Sequence, residues 1–229
     1  CMSALPFYIV GNWKSNKTVA EAVLWWQEFS ALWRKSPPDI SHIKVILCPA
    51  FIHLQLLDSL IKLTTIPLHL GLQDVSGFPG GAYTGQVSAQ MAKDMAHFTL
   101  VGHSERRKYV KETDVELGAK VNHAVAFGIE PIYCVQSEEM TIPSNCQTVA
   151  YEPVWAIGTG TPDTPQNARK VAGAIKASHS EVKTVIYGGS VTAQNVAAYV
   201  EESQIGGVLP GGASLTPLSF YQLILNAAS

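Results

Sequence analysis

Eight short apolar runs of strand character punctuate this chain of 229 residues, and nearly every neighbouring pair is separated by a segment whose apolar residues fall at helical spacing. The runs are Phe7 to Val10, Ile43 to Leu47, Leu68 to Leu72, Phe98 to Val101, Ile129 to Val135, Gln147 to Tyr151, Thr184 to Tyr187 and Gly207 to Leu209. Helices are predicted over Thr18 to Arg34, Ile52 to Leu63, Ala89 to Met95, Asp114 to Phe127, Gln166 to Ser178, Ala193 to Val200 and Pro217 to Ala227. Alternation of this kind, with no linker-like stretch, predicts an α/β chain of parallel strands joined by right-handed crossovers. Eight such units close into a (β/α)8 barrel, a single domain over residues 1–229. An open doubly wound sheet is the second choice, but it would place a Gly-rich nucleotide turn after the first strand, where this chain has GNWKSN.

One connection breaks the pattern. Between the fifth and sixth strands the chain reads QSEEMTIPSN, which is polar, contains Pro143 and lacks helical apolar spacing. The helix of the fifth unit is therefore predicted to be missing or reduced to a turn. That leaves part of the barrel wall uncovered unless another subunit, a neighbouring helix or a changed set of side chains shields it.

The net charge of -2 gives no electrostatic footprint for nucleic acid or an acidic membrane surface. No apolar run approaches the ~20 residues that span a bilayer, and the N-terminus lacks a signal-peptide pattern. Cys48 and Cys134 fall in predicted strands and the four cysteines have no close metal-ligand spacing, so buried thiols in a reducing cytoplasm are expected.

Barrel enzymes carry their chemistry at the C-terminal ends of the strands. There the sequence puts Asn12 and Lys14 after the first strand, His103, Ser104 and Glu105 after the fourth, and Glu152 after the sixth. Pro153 follows Glu152 and cannot continue a ladder, so the carboxylate stands where strand gives way to loop. The residues from Pro153 to Gly160 are apolar and then Gly-rich, as in a flap over an apolar pocket. Two Gly-Gly turns, at Gly188 to Ser190 and Gly211 to Ala213, each lead into a helix and together form a cup of backbone N–H groups for a phosphate. A base, a cation, a histidine and a phosphate cup suit proton transfer on a small phosphorylated carbonyl compound, with no metal or organic cofactor required.

The stretches GNWKSN at 11–16, GAYTGQVSA at 81–89, VGHSERR at 101–107, AYEPVWAIGTG at 150–160, YGGSV at 187–191 and GGASL at 211–215 resemble, in this order, the triosephosphate isomerase family. That family is the reference case for a carboxylate base paired with a neutral imidazole electrophile. The resemblance implies interconversion of dihydroxyacetone phosphate and glyceraldehyde 3-phosphate through an enediol, with Glu152 as base, His103 as electrophile and Lys14 with Asn12 at the carbonyl end. It also implies a supporting Glu105, phosphate binding by N–H groups of Gly158, Ser190, Gly211 and Gly212, and closure of the flap. Members are typically homodimers, so the loop from Gln73 to Gly85 is expected to reach into a neighbouring subunit and bring Thr84 to that subunit's Asn12 and Lys14.

Three departures stand out. CVQS at 134–137 replaces a Cys-x-Gly-Glu sequence, which implies that Trp155 on the flap lacks its usual carboxylate partner. Gln86 stands where the family has Glu, and Pro210 precedes the last Gly-Gly turn where an aliphatic residue is usual. The competing readings are a barrel that serves as a binding or scaffold protein through its uncovered wall, and a Schiff-base barrel, which would need a lysine on a central strand.

Overall fold

The computed structural model describes residues 5–156 and 162–229, and in it the eight strands form a closed barrel in the order of the sequence. They are β1 (Phe7–Asn12), β2 (Ile43–Cys48), β3 (Leu68–Leu72), β4 (Phe98–Val101), β5 (Glu130–Val135), β6 (Thr148–Tyr151), β7 (Thr184–Tyr187) and β8 (Gly207–Val208). Every neighbouring pair is parallel, and β8 closes on β1 by pairing Gly207 with Tyr8 and Val208 with Ile9. The helices are α1 (Val19–Lys35), α2 (Leu54–Lys62), α3 (Ala89–Ala92), α4 (Ser104–Tyr109), α5 (Asp114–Ala126), α6 (Pro165–Ser178), α7 (Val196–Val200) and α8 (Pro217–Ala227).

Residues two apart on a strand share a face, and the chain sorts them accordingly. Tyr8, Val10, Ile46, Cys48, Leu100, Ile132, Cys134, Ala150 and Ile186 fill the barrel interior. Ile9, Val45, Leu47, Tyr133, Val149 and Val185 face outward into the layer beneath the helices. The predicted helices form, α3 and α7 shorter than the apolar spacing suggests, and the longer ones α1, α5, α6 and α8 have capped starts while α2 and α7 have no side-chain cap. Thr18 and Thr113 each close a capping box with Glu21 and Glu116, and Thr164 and Thr216 cap α6 and α8 ahead of a proline in the first turn.

No helix joins β5 to β6, as the sequence predicts, but the wall is not left bare. The connection folds back over it, with Ile142 and Cys146 buried and Met140 packed on the same cluster as Tyr133, Val135, Val149 and Tyr151. Asn145 is tied to Asn122 of α5 by a 2.8 Å hydrogen bond. Among the described residues no helix is long and apolar enough to cross a membrane.

Candidate active site

At the end of β1 the chain turns through Lys14, a non-glycine residue held at φ +52. Its N–H donates to Asn12 Oδ1 at 2.9 Å, and Gln73 Nε2 donates to its carbonyl at 2.8 Å. Left-handed backbone at a lysine persists only where surrounding structure fixes it. The result is an ammonium group beside the barrel mouth, 2.6 Å from Glu105 Oε1.

At the end of β4, Gly102 takes φ +73, where a Cβ would meet Leu117 and Arg107 at 3.0–3.1 Å. This turn sets His103 at the N-cap of α4, where the Glu105 N–H donates to His103 Nδ1 at 3.2 Å. An accepting Nδ1 leaves the proton of a neutral imidazole on Nε2. His103 Nε2 lies 3.0 Å from Glu152 Oε1, while Glu152 Oε2 accepts the Ser104 N–H at 2.8 Å. The 3.0 Å approach is close but poorly aligned, so Oε1 is buried without a hydrogen-bond partner among the described residues. Burial is the chief force on this carboxyl and raises its pKa, opposed by His103, by the bonds from Ser104 and by Lys14.

The two Gly-Gly turns stand opposite. Together with Lys14, His103 and Leu209 they enclose a cavity of about 220 Å³. Glu152 stands behind His103 and is not part of its lining. Ser190 is pinned by its hydroxyl, which donates to the Ala156 carbonyl at 2.8 Å, and by Asn195 Nδ2, which donates to its carbonyl at 3.1 Å. The N–H groups of Ser190 and Gly211 have no hydrogen-bond partner among the described residues. Lys14 Cε comes within 3.5 Å of where a Cβ on Gly211 would be, so cation and cup converge. The site thus combines an imidazole N–H and a cation with a buried carboxylate oxygen and backbone amides that have no partner among the described residues, a set able to move a proton beside an anionic substrate.

Asn12, Lys14, His103, Glu105, Glu152, Ser190, Gly211 and Gly212 all stand at this end of the barrel. Gly158 lies outside the described residues. Thr84 is exposed and lines neither cavity that contains Lys14. Trp155 is 59% exposed, and Gln136 is exposed as well. Gln86 is exposed, so its missing charge removes no buried ion pair within this chain. Pro210 is buried and uses its carbonyl to accept the Asn12 N–H at 3.0 Å.

Sequence reasoning missed the ionic group beneath the 73–85 loop. Asp74 accepts from Lys120 Nζ at 2.6 Å and from Arg106 at 2.9 Å, and Glu112 bonds both cations. Burial raises the Asp74 pKa, while Glu112 is held low: burial works upward there too, but the bonds from Arg106 and Lys120 outweigh it. It also missed Tyr199, whose hydroxyl reaches the Asp163 carbonyl at 2.7 Å. A helical tyrosine in an apolar register carries no mark of a polar partner.

The family model for triosephosphate isomerase matches residues 7–227. A triosephosphate isomerase of Mesomycoplasma hyopneumoniae (strain 7448) is 36% identical over 241 aligned positions, covering 96% of this chain and 98% of the relative. That of Endomicrobium trichonymphae is 36% identical over 94% of this chain and 96% of its own length, and that of Dictyoglomus thermophilum 35% over 94% and 97%. Alignments of 241 to 248 positions against 229 residues mean that these relatives carry residues this chain lacks, which agrees with its short β5–β6 connection. With barrel, strand-end residues and similarity over nearly the whole length in agreement, the chain belongs to the triosephosphate isomerase family.

Proposed function

We propose that this chain interconverts dihydroxyacetone phosphate and D-glyceraldehyde 3-phosphate by proton transfer through an enediol or enediolate. The observation that carries the reading is the buried Glu152 carboxylate, with its free Oε1 beside the Nε2–H of His103. Glu152 leaves the Ser104 N–H, removes the proton from one carbon and returns it to the next. Burial favours this by raising the basicity of the carboxylate. His103 donates from Nε2 to the substrate oxygen, and Lys14 with Asn12 balances the charge that grows there, Glu105 holding the ammonium in place. N–H groups of Ser190, Gly211 and Gly212, with Gly158, take the phosphate. The chemistry moves only protons, so the reaction draws on no metal or organic cofactor.

The partner is a second copy of the chain, with the 73–85 loop carrying Thr84 to the other subunit's Asn12 and Lys14. A cavity of about 270 Å³ beside Asn12, Lys14, Gln73 and Glu105 is the space it would enter. Three buried free thiols, Cys48, Cys134 and Cys146, suit the reducing cytoplasm. The scaffold reading drew on an uncovered wall, and that wall is covered.

The test is the coupled-assay turnover of the purified chain beside Glu152→Gln. The variant is expected to lose at least ~10² to 10⁴ in kcat, the usual worth of a general base. Equal rates for the two proteins would refute the assignment.

A further inference from the structure

We propose that Tyr199 is a positioning residue for the phosphate-binding turn, a role that rests on the isomerase reading above. Tyr199, on α7, is buried against Tyr187, the last residue of β7, with ring centroids 4.5 Å apart and planes 13° from parallel. Its hydroxyl donates to the Asp163 carbonyl at 2.7 Å, and the Asp163 N–H donates to the Tyr187 hydroxyl at 2.7 Å. The two stacked tyrosines therefore hold both main-chain polar groups of one residue.

Asp163 is itself a fixed point. Its carboxylate accepts the Thr164 N–H at 2.8 Å and Asn167 Nδ2 at 2.7 Å, which fasten it to the start of α6. The other end of the link is the cup. A Cβ built on Gly189 would lie 2.1 Å from Tyr187 Oη, so this hydroxyl bears directly on the backbone of the turn that leads to Ser190. The connection runs from Tyr199 through Asp163 to Tyr187 and on to Gly189.

Removing the Tyr199 hydroxyl leaves a carbonyl without a partner in a buried place, which the main chain relieves by shifting. The N–H that holds Tyr187 against Gly189 shifts with it. Backbone donors act on an anion only as well as they are fixed. Loss of the hydroxyl should therefore weaken the grip on phosphate and leave the carbonyl end, built from β1 and β4, unchanged.

Tyr199→Phe keeps the stack without the hydroxyl, and Tyr199→Leu fills the space with an aliphatic side chain. For both, kcat and KM for glyceraldehyde 3-phosphate are measured, with the inhibition constant of inorganic phosphate and kcat/KM for D-glyceraldehyde, which has no phosphate. The expected result is a parallel rise of KM and the phosphate inhibition constant by roughly three- to tenfold, as for one lost hydrogen bond. The glyceraldehyde rate should stay within about twofold of the parent. An unchanged phosphate inhibition constant, or an equal loss on both aldehydes, overturns the inference. A parent chain that fails to interconvert triose phosphates overturns the functional reading instead, so the two failures are distinguishable.

Discussion

Glu152 is 1% exposed and ionisable, a combination that costs the folded state something for every unit of charge it keeps. Its folded pKa is raised from an ordinary 4.5, so the sign follows directly. Such a carboxyl favours the folded state fully below its unfolded value and loses that contribution as pH rises through its folded value. At neutral pH the ionised group is a burden, and the same burial makes the carboxylate more basic. Glu152→Gln is accordingly expected to melt above the parent at about pH 7 and to lose this advantage as pH falls towards about 4. Thermal scans across that range check it, and a gap that does not change with pH would contradict it. A second residue-scale expectation concerns Gly189. Tyr187 is fully buried and its hydroxyl is tied to Asp163, so it cannot yield to a methyl group 2.1 Å away. Gly189→Ala should cost about 1–3 kcal/mol, the usual penalty for overpacking, read by chemical denaturation. A variant as stable as the parent would mean that Tyr187 moves more freely than its contacts allow.

Among the elements, the β5–β6 connection is the most unusual. Twelve residues replace a β/α crossover, and the parallel pairing of Ile132 to Val135 with Thr148 to Tyr151 nevertheless survives. It survives because Ile142, Cys146 and Met140 shield Tyr133, Val149 and Tyr151 from water in place of a helix. Ile142→Ala should therefore cost about 2–5 kcal/mol, as for a core truncation, although it lies in a surface connection. Faster amide exchange in β5 and β6 should accompany the loss in denaturation free energy, and an exposed-loop cost near zero would show that the wall needs no cover. The sequence displays the strands to within one or two residues, because their apolar runs are bounded by turns and helices. It does not display this cover, since three scattered residues, Met140, Ile142 and Cys146, in a polar stretch have no period to detect. α4 was masked similarly: SERRKY has no apolar repeat, only a start signature. The Asp74–Lys120 link joins residues 46 positions apart, and nothing local announces it. The strand-end residues of the site were legible for the opposite reason, because barrel geometry sends them all to one rim.

At that rim the loop from Gln73 to Gly85 is largely exposed from Phe78 onward. Phe78 and Tyr83 stack there at 4.7 Å, yet both remain more than a third exposed. Beneath them, Phe51, Val75, Val110 and Val115 line a cavity of about 470 Å³ whose floor is the ionic group of Asp74, Arg106, Glu112 and Lys120. Exposed stacked aromatics on a loop rooted in that ionic group, beside a hollow with apolar walls and a charged floor, fit a surface that a partner would bury. The loop and the shortened connection are distinct regions of the chain, so the lost helix gives no reason to expect a lost dimer. We expect the parent chain to sediment as a dimer at micromolar concentration. Phe78→Asp should yield a folded monomer, because an unpaired carboxylate in the centre of such an interface is costly to desolvate. If Thr84 completes the neighbour's site around Asn12 and Lys14, that monomer should also lose much of its turnover while keeping its barrel circular dichroism. A parent chain that sediments as a monomer and turns over normally would show instead that each barrel builds its site alone.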